Sequence, residues 1–234
     1  MSTSKGIEFY GGYQVYSDTG VDLTLLRENL RRGLEERWER NRQVLAFLDA
    51  VRPSRPMNSP SLDQGGPPVF DPTALVTLLA REPVEFVLIG GLAMKLHGSV
   101  HVTEDLDVCY GRSPANISAL ATALASIHPY LRGAPPGLPF RFDAATIQAG
   151  LNFTLRTDLG DVDFLGEVSG VGKYEQALAR SDDMELYGLK IRVLSLDGLI
   201  AAKKAAGRVK DRNHLLELEE LKKLRDAAKP QGET

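Results

Sequence analysis

From residue 84 onward, short apolar runs of strand length alternate with segments of helix length, and that alternation admits few folds. Residues 84–89, 106–110, 151–156 and 162–168 read as strands, and a hairpin-like pair at 184–187 and 190–193 turns at Gly188. Helical stretches lie among them, from Gly90-Gly91 to about His97 and from Ser113-Pro114 through Ile127. A Pro/Gly-rich loop covers residues 133–139. Two helices close the chain at 196–206 and 211–227, the first with Ser195 as N-cap. Strands interleaved with helices predict an α/β or α+β core.

The N-terminal part has a different character. Residues 22–52 read as one helix, with Leu34, Trp38, Leu45 and Leu48 on one face and arginines and glutamates on the other. Residues 53–68 hold a Pro/Ser/Gly cluster expected of a linker. Asp71-Pro72 then opens the next helix, a capping side chain followed by proline in the first turn. The predicted division is 1–70 as helical extension and linker, and 71–234 as the main domain.

At 234 residues the chain can bury one sizeable core. A formal charge of −3 excludes a global attraction for nucleic acid, so any such surface must be a local basic patch or be made positive by bound metal. The lone cysteine, Cys109, excludes an intramolecular disulfide and suits a reducing compartment. The longest apolar stretch, around Phe86 to Met94, is far short of a membrane span, and residues 1–6 lack a signal-peptide run. A soluble, cytoplasmic protein is expected.

The chemistry is concentrated in carboxylates. Gly90-Gly91 is followed, after thirteen residues, by Asp105-Leu106-Asp107-Val108. In a strand Asp105 and Asp107 share one face while Leu106 and Val108 point into the core. Side-by-side carboxylates repel, and a divalent cation offsets that cost. Gly160-Asp161-Val162-Asp163-Phe164 repeats the device. Acids from two neighbouring strands could converge on a metal pair, spaced roughly 3.5–4 Å in enzymes of in-line phosphoryl displacement. Either pair alone reads better as the solvated face of a strand near a turn, where Asp is common. Their combination behind a glycine doublet favours metal. Gly90-Gly91 sits where a strand meets a helix start, a place where bare backbone N–H groups can face an anion.

Lys203 shares the apolar face of Leu196, Leu199 and Ile200 at helical spacing, whereas Lys204 is rotated away. Inward, it needs an acidic or phosphate partner; at the edge of the face it could snorkel to water. Arg208, Lys210 and Arg212 form a local basic cluster, which ordinary surface charge also explains. Gly170-Val171-Gly172-Lys173-Tyr174 hints at a phosphate loop but lacks the first glycine, where Glu167 stands, and the Ser/Thr, where Tyr174 stands. His97 and His101 are four apart, but Gly98 ends the helix between them and no zinc site follows.

The run Val87-Leu88-Ile89-Gly90-Gly91 with Thr103-Glu104-Asp105-Leu106-Asp107 resembles the signature of the DNA polymerase β-type nucleotidyltransferase superfamily. Three further stretches narrow the resemblance to bacterial AbiEii-type nucleotidyltransferases, many of them toxins of toxin–antitoxin pairs. These are Gly150–Thr157 leading into 160–166, residues 193–203, and Ala206-Gly207-Arg208-Val209-Lys210-Asp211. The segment from Tyr16 to Thr24 is similar to one found ahead of such domains. The likeness covers about Val84 to Arg225 and implies a nucleotidyltransferase fold for 71–234, a mixed β-sheet flanked by helices.

Carried over by residue, the resemblance implies that Asp105 and Asp107 hold two Mg²⁺ ions and that Asp163 is the third carboxylate, with Asp161 in reserve. Gly90 and Gly91 would cradle the triphosphate of an NTP, and Lys203, with Arg208 nearby, would meet phosphate charge. Two departures stand out: His101 where members often carry a basic residue, and Gly91 where a serine often follows the first glycine. The implied activity is transfer of NMP from NTP to an acceptor hydroxyl, on a tRNA or other RNA end, as a toxin with a cognate antitoxin. The alternatives are a protein or small-molecule acceptor, or a binding or regulatory protein without catalysis.

Overall fold

Leu106 and Val108 on one strand, and Val162 and Phe164 on another, are each at most 1% exposed. That is the outcome required when alternate side chains of a strand enter a core. The structure, a computed structural model, describes residues 9–10, 13–51, 70–135, 137–209 and 211–228. The residues read as linker, 53–68, lie outside that set, as does Lys210.

In chain order the elements are β1 (Phe9–Tyr10), β2 (Tyr13–Gln14), α1 (Leu23–Arg31), α2 (Leu34–Val51), α3 (Pro72–Arg81), β3 (Phe86–Ile89) and α4 (Gly90–His97). Next come β4 (Asp105–Tyr110), α5 (Pro114–Leu124), β5 (Tyr130–Leu131), α6 (Ala144–Ala149), β6 (Asn152–Thr157) and β7 (Gly160–Leu165). The chain continues through β8 (Glu167–Val168), β9 (Gly172–Lys173), α7 (Tyr174–Ala179), β10 (Ser181–Leu186), β11 (Leu189–Leu194), α8 (Leu196–Ala206) and α9 (Asp211–Ala228).

Seven strands form a mixed sheet in the order β10-β11-β3-β4-β7-β6-β5. The pairs β11–β3 and β4–β7 run parallel and the others antiparallel. The expected α/β core with a helix-flanked mixed sheet is therefore present. No helix among the described residues is long and apolar enough to cross a membrane.

Local chemistry places the element ends. Asp71, Ser113 and Ser195 each accept a backbone N–H of the helix that follows, from Ala74, Asn116 and Gly198. Gly98 closes α4 with φ +113, a left-handed C-cap that separates His97 from His101 as expected. The β10–β11 hairpin turns through Tyr187 and Gly188, with φ of 52° and 72°. Two positive φ values in a two-residue loop match the twist of antiparallel strands.

Two boundaries and one helix face differ notably from the sequence reading. The helix expected over 22–52 is two helices, broken at Arg32-Gly33. The guanidinium of Arg37 sits at that break, donating to Asn29 O at 2.9 Å and Leu30 O at 2.8 Å, and also to Leu96 O at 2.6 Å on α4. It satisfies carbonyls that the end of α1 leaves open. The strand expected over 162–168 stops at Leu165; Gly166 donates to Leu151 O at 2.9 Å, and β8 pairs with β9 instead. Leu48 is 38% exposed, so the buried stripe of α2 is Trp38, Asn41 and Leu45.

That stripe docks α2 onto α4, and Leu23, Leu26 and Trp38 join the same hydrophobic cluster as the sheet residues. Trp38 is fully buried and its indole N–H donates to Thr73 Oγ1 at 2.9 Å. Truncating such a side chain costs about 3–5 kcal/mol.

Candidate active site

Strands β4 and β7 lie side by side and parallel, with Asp105 opposite Asp161 and Asp107 opposite Asp163. Equal spacing in both strands puts all four acids on one face, while Leu106, Val108, Val162 and Phe164 hold the other. Asp105, Asp107 and Asp163 each offer a carboxylate oxygen, and these oxygens lie within 4.8 Å of one another.

Asp161 is turned to other partners. It accepts from Arg156 Nε at 3.1 Å and from an Arg132 nitrogen at 3.3 Å.

The glycine doublet works at close range. Gly90 opens α4 with φ +64, and a Cβ there would stand 1.9 Å from Asp107 Oδ2. Only glycine lets the backbone approach that carboxylate. The N–H of Gly91 donates to Asp107, so in this structure the carboxylate itself meets the start of α4. A Cβ on Gly91 would lie 2.5 Å from the Thr103 Cβ and Oγ1. The Thr103 side chain thus fills the space where residue 91 has none, and its hydroxyl donates to Asp105 Oδ1 at 2.8 Å.

The electrostatics call for more positive charge. Burial first, then the charges of Asp105 and Asp163, push Asp107 up to about 7, against the opposing pull of the Gly91 N–H and Lys203. Burial likewise raises Asp163, with Arg132 working against it. The Arg132 guanidinium lies 2.8 Å from Asp163, 3.3 Å from Asp161 and 3.7 Å from Asp105. Nothing in the acid pattern singles it out. It is delivered by β5 pairing with β6, which aims the Arg132 N–H at Thr154 O at 3.0 Å, on the residue opposite Asp163. Three converging carboxylates form an all-oxygen donor set, which fits a hard divalent cation.

Lys203 lies on the inward face of α8 with its side chain 13% exposed, while Lys204 points outward to Glu219 at 2.9 Å. Its direct partner is Asp211 Oδ1 at 2.9 Å, and it also acts on Asp107 through charge. Arg208 reaches the other oxygen of Asp211 at 2.7 Å. Burial works to raise Asp211, yet the Arg208 and Lys203 hydrogen bonds prevail and hold it down at about 2. Lys203 and Arg208 thus meet at one buried acid. Arg212 is exposed. His101 stands against His214 with Nε2 atoms 2.7 Å apart, so one imidazole donates and the other accepts. Two hollows of about 490 and 660 Å³ both border Glu39 and Tyr187 and include none of Asp105, Asp107, Asp161 and Asp163.

No protein-family model and no curated protein sequence matches the chain. Among solved structures it is similar to a Thermotoga maritima protein assigned as a nucleotidyltransferase, at 18% identity and a TM-score of 0.40, covering 64% of this chain and 95% of that one. It is also similar to ANT(2″)-Ia in complex with adenylyl-2″-tobramycin, at 12% identity and a TM-score of 0.41, covering 65% of this chain and 91% of that one. Likeness at this level assigns no activity. The chemistry rests on the chain's own carboxylates.

Proposed function

We propose that the chain is a metal-dependent nucleotidyltransferase of the DNA polymerase β superfamily, which moves NMP from an NTP onto an acceptor hydroxyl. The observation that carries this reading is the convergence of Asp105, Asp107 and Asp163 beside the Gly90-Gly91 turn. Two parallel strands in register deliver acids to one point, and the apolar Cys109 and Leu165 on that face lie one step further along the strands.

In this reading Asp105, Asp107 and Asp163 would hold Mg²⁺, which supplies charge neutralisation for the phosphates and a more acidic acceptor oxygen. Asp163 would accept the acceptor hydroxyl's proton, a role supported by the burial that raises its proton affinity. The resemblance would give the triphosphate to the start of α4, where Gly90 and Gly91 already admit the Asp107 carboxylate and the Thr103 side chain, and Lys203 would contribute positive potential from α8. Asp161, pinned by two arginines, orients Arg132.

For the acceptor we propose an RNA end, tRNA first, with a role as an AbiEii-type toxin restrained by a cognate antitoxin. What supports this narrower reading is the sequence resemblance through Lys203 and Asp211. Net charge −3 confines an RNA surface to a local patch; Arg208, which shares Asp211 with Lys203, is exposed, as is Arg212.

The test is incubation with each labelled NTP, Mg²⁺ and total RNA, for wild type and Asp105→Ala. Label on tRNA that vanishes in the variant is the expected result. Label on protein or on a small molecule moves the acceptor but keeps the chemistry. No label with any NTP or acceptor leaves a binding protein, and the transferase reading fails.

A further inference from the structure

The segment before residue 70 reaches the carboxylates through one buried amide. Asn41 sits in the middle of the α2 stripe between Trp38 and Leu45 and is wholly buried. A polar side chain there must find partners within the protein. It finds two on a single residue. Its Nδ2 donates to Thr103 O at 2.9 Å, and its Oδ1 accepts the Thr103 N–H at 3.0 Å.

Both backbone groups of Thr103 are thereby fixed by α2, in the connection between α4 and β4. The Thr103 side chain wedges over Gly91 and donates to Asp105 Oδ1. The other oxygen, Oδ2, is left on the side where Arg132 approaches at 3.7 Å. A carboxylate turns easily about its last bond, and a donor on one oxygen fixes the plane and selects which oxygen faces the cluster.

We propose that Asn41 and Thr103 are positioning residues: α2 sets the orientation of the Asp105 carboxylate for a divalent cation, so the N-terminal helical segment is a working part of the site. This rests on the reading above that Asp105, Asp107 and Asp163 hold such an ion. It gives Gly91 a structural reason, since any side chain there would evict Thr103.

The test is Mn²⁺ binding to the full chain by calorimetry, with the Mn²⁺ spin-resonance spectrum of each complex. Thr103→Val keeps the volume and removes the hydroxyl; Thr103→Ser keeps the hydroxyl. The expected result is affinity about tenfold weaker for Thr103→Val, with a broadened spectrum, and within about twofold of wild type for Thr103→Ser. Asn41→Leu, which removes the amide at similar volume, is expected to follow Thr103→Val. Should Asn41→Leu fail to fold, the two Thr103 variants decide alone. Equal Mn²⁺ affinity in wild type, Thr103→Val and Thr103→Ser overturns the relay while leaving the metal site standing. Equal loss in both Thr103 variants also overturns it, because shape rather than the hydroxyl then matters. No Mn²⁺ binding by wild type, with Asp105→Ala indistinguishable from it, takes down the metal reading and the relay together.

Discussion

Arg132 donates to Asp163 at 2.8 Å, and the same guanidinium lies 3.3 Å from Asp161 and 3.7 Å from Asp105. One guanidinium therefore addresses three of the four acids on the β4–β7 face. These side chains are partly buried, so the pairs rank between exposed and interior ones.

Removing Arg132 should separate its two effects. Arg132→Gln is expected to lower stability without metal by about 2 kcal/mol, as the carboxylates lose their counter-charge. The same change should raise Mn²⁺ affinity, because the ion then enters a more negative site. Melting with and without Mn²⁺ reads both. A drop in affinity would show instead that Arg132 supports the ion-bound arrangement.

Asp107 is buried beside Asp105 and Asp163, and that burial first, then their repulsion, push its carboxyl up to about 7. Asp107→Asn relieves that repulsion. Stability in chelator is expected to rise by about 1 kcal/mol, which is about 2–4 °C in melting temperature for a chain of this size. Stabilisation by added Mg²⁺ or Mn²⁺ should disappear. Thermal melts in chelator and in millimolar metal check both halves.

Gly90→Ala should be severe for two reasons. The residue has φ +64, and the new Cβ would lie 1.9 Å from Asp107 Oδ2. The expected loss is about 2–4 kcal/mol, combining left-handed strain with overpacking. Chemical denaturation measures it. Gly207→Ala, also at φ +60 but with open space around its Cβ, isolates the strain component.

His97 predicts a specific acid sensitivity. Its ring is buried between α4, β11 and α9, with Nε2 2.8 Å from Leu194 O and Nδ1 2.9 Å from an Arg225 nitrogen. Arg225 can only donate and Leu194 O can only accept, so the neutral tautomer with Nε2–H fits and a second proton does not. Burial first, then the Arg225 and Arg37 charges, lower it to about 4, against the Leu194 hydrogen bond and the Asp182 charge. The unfolded chain binds the proton near 6.5 and the folded chain near 4. The unfolded state thus holds more protons between those values, and stability falls as pH drops through that window. The full span is worth about 3 kcal/mol. His97→Gln, which can donate to Leu194 O and accept from Arg225, should flatten denaturation midpoints between pH 6.5 and 4.

Much of this architecture is legible from residue order. The alternation Asp105-Leu106-Asp107-Val108 predicts which side chains vanish into the core, and Leu106 and Val108 are wholly buried. Asp71, Ser113 and Ser195 announce their helices, and each caps as expected. The acids were found by pattern; their registration against one another needed the parallel pairing of β4 with β7. Arg132 was not legible, because a two-residue strand, β5, is all that carries it into the site. The break at Arg32-Gly33 escaped for a similar reason: the carbonyls it frees are satisfied by Arg37, a contact that exists only after folding. Asn41 did leave a trace. It is a polar residue centred in an apolar stripe, and such a residue buried on docking requires a polar partner.

The lone cysteine offers a final consequence. Cys109 is wholly buried on β4, two residues beyond Asp107, and burial first, then the nearby Glu175 charge, push its thiol up to about 12. A disulfide reagent can reach it only when the central strand parts from its neighbours. The molecule therefore carries its own stopwatch for that opening: the labelling half-time of an unaltered chain reports how often β4 comes loose. If ions fasten the aspartates on that strand, the clock should run slower in their presence.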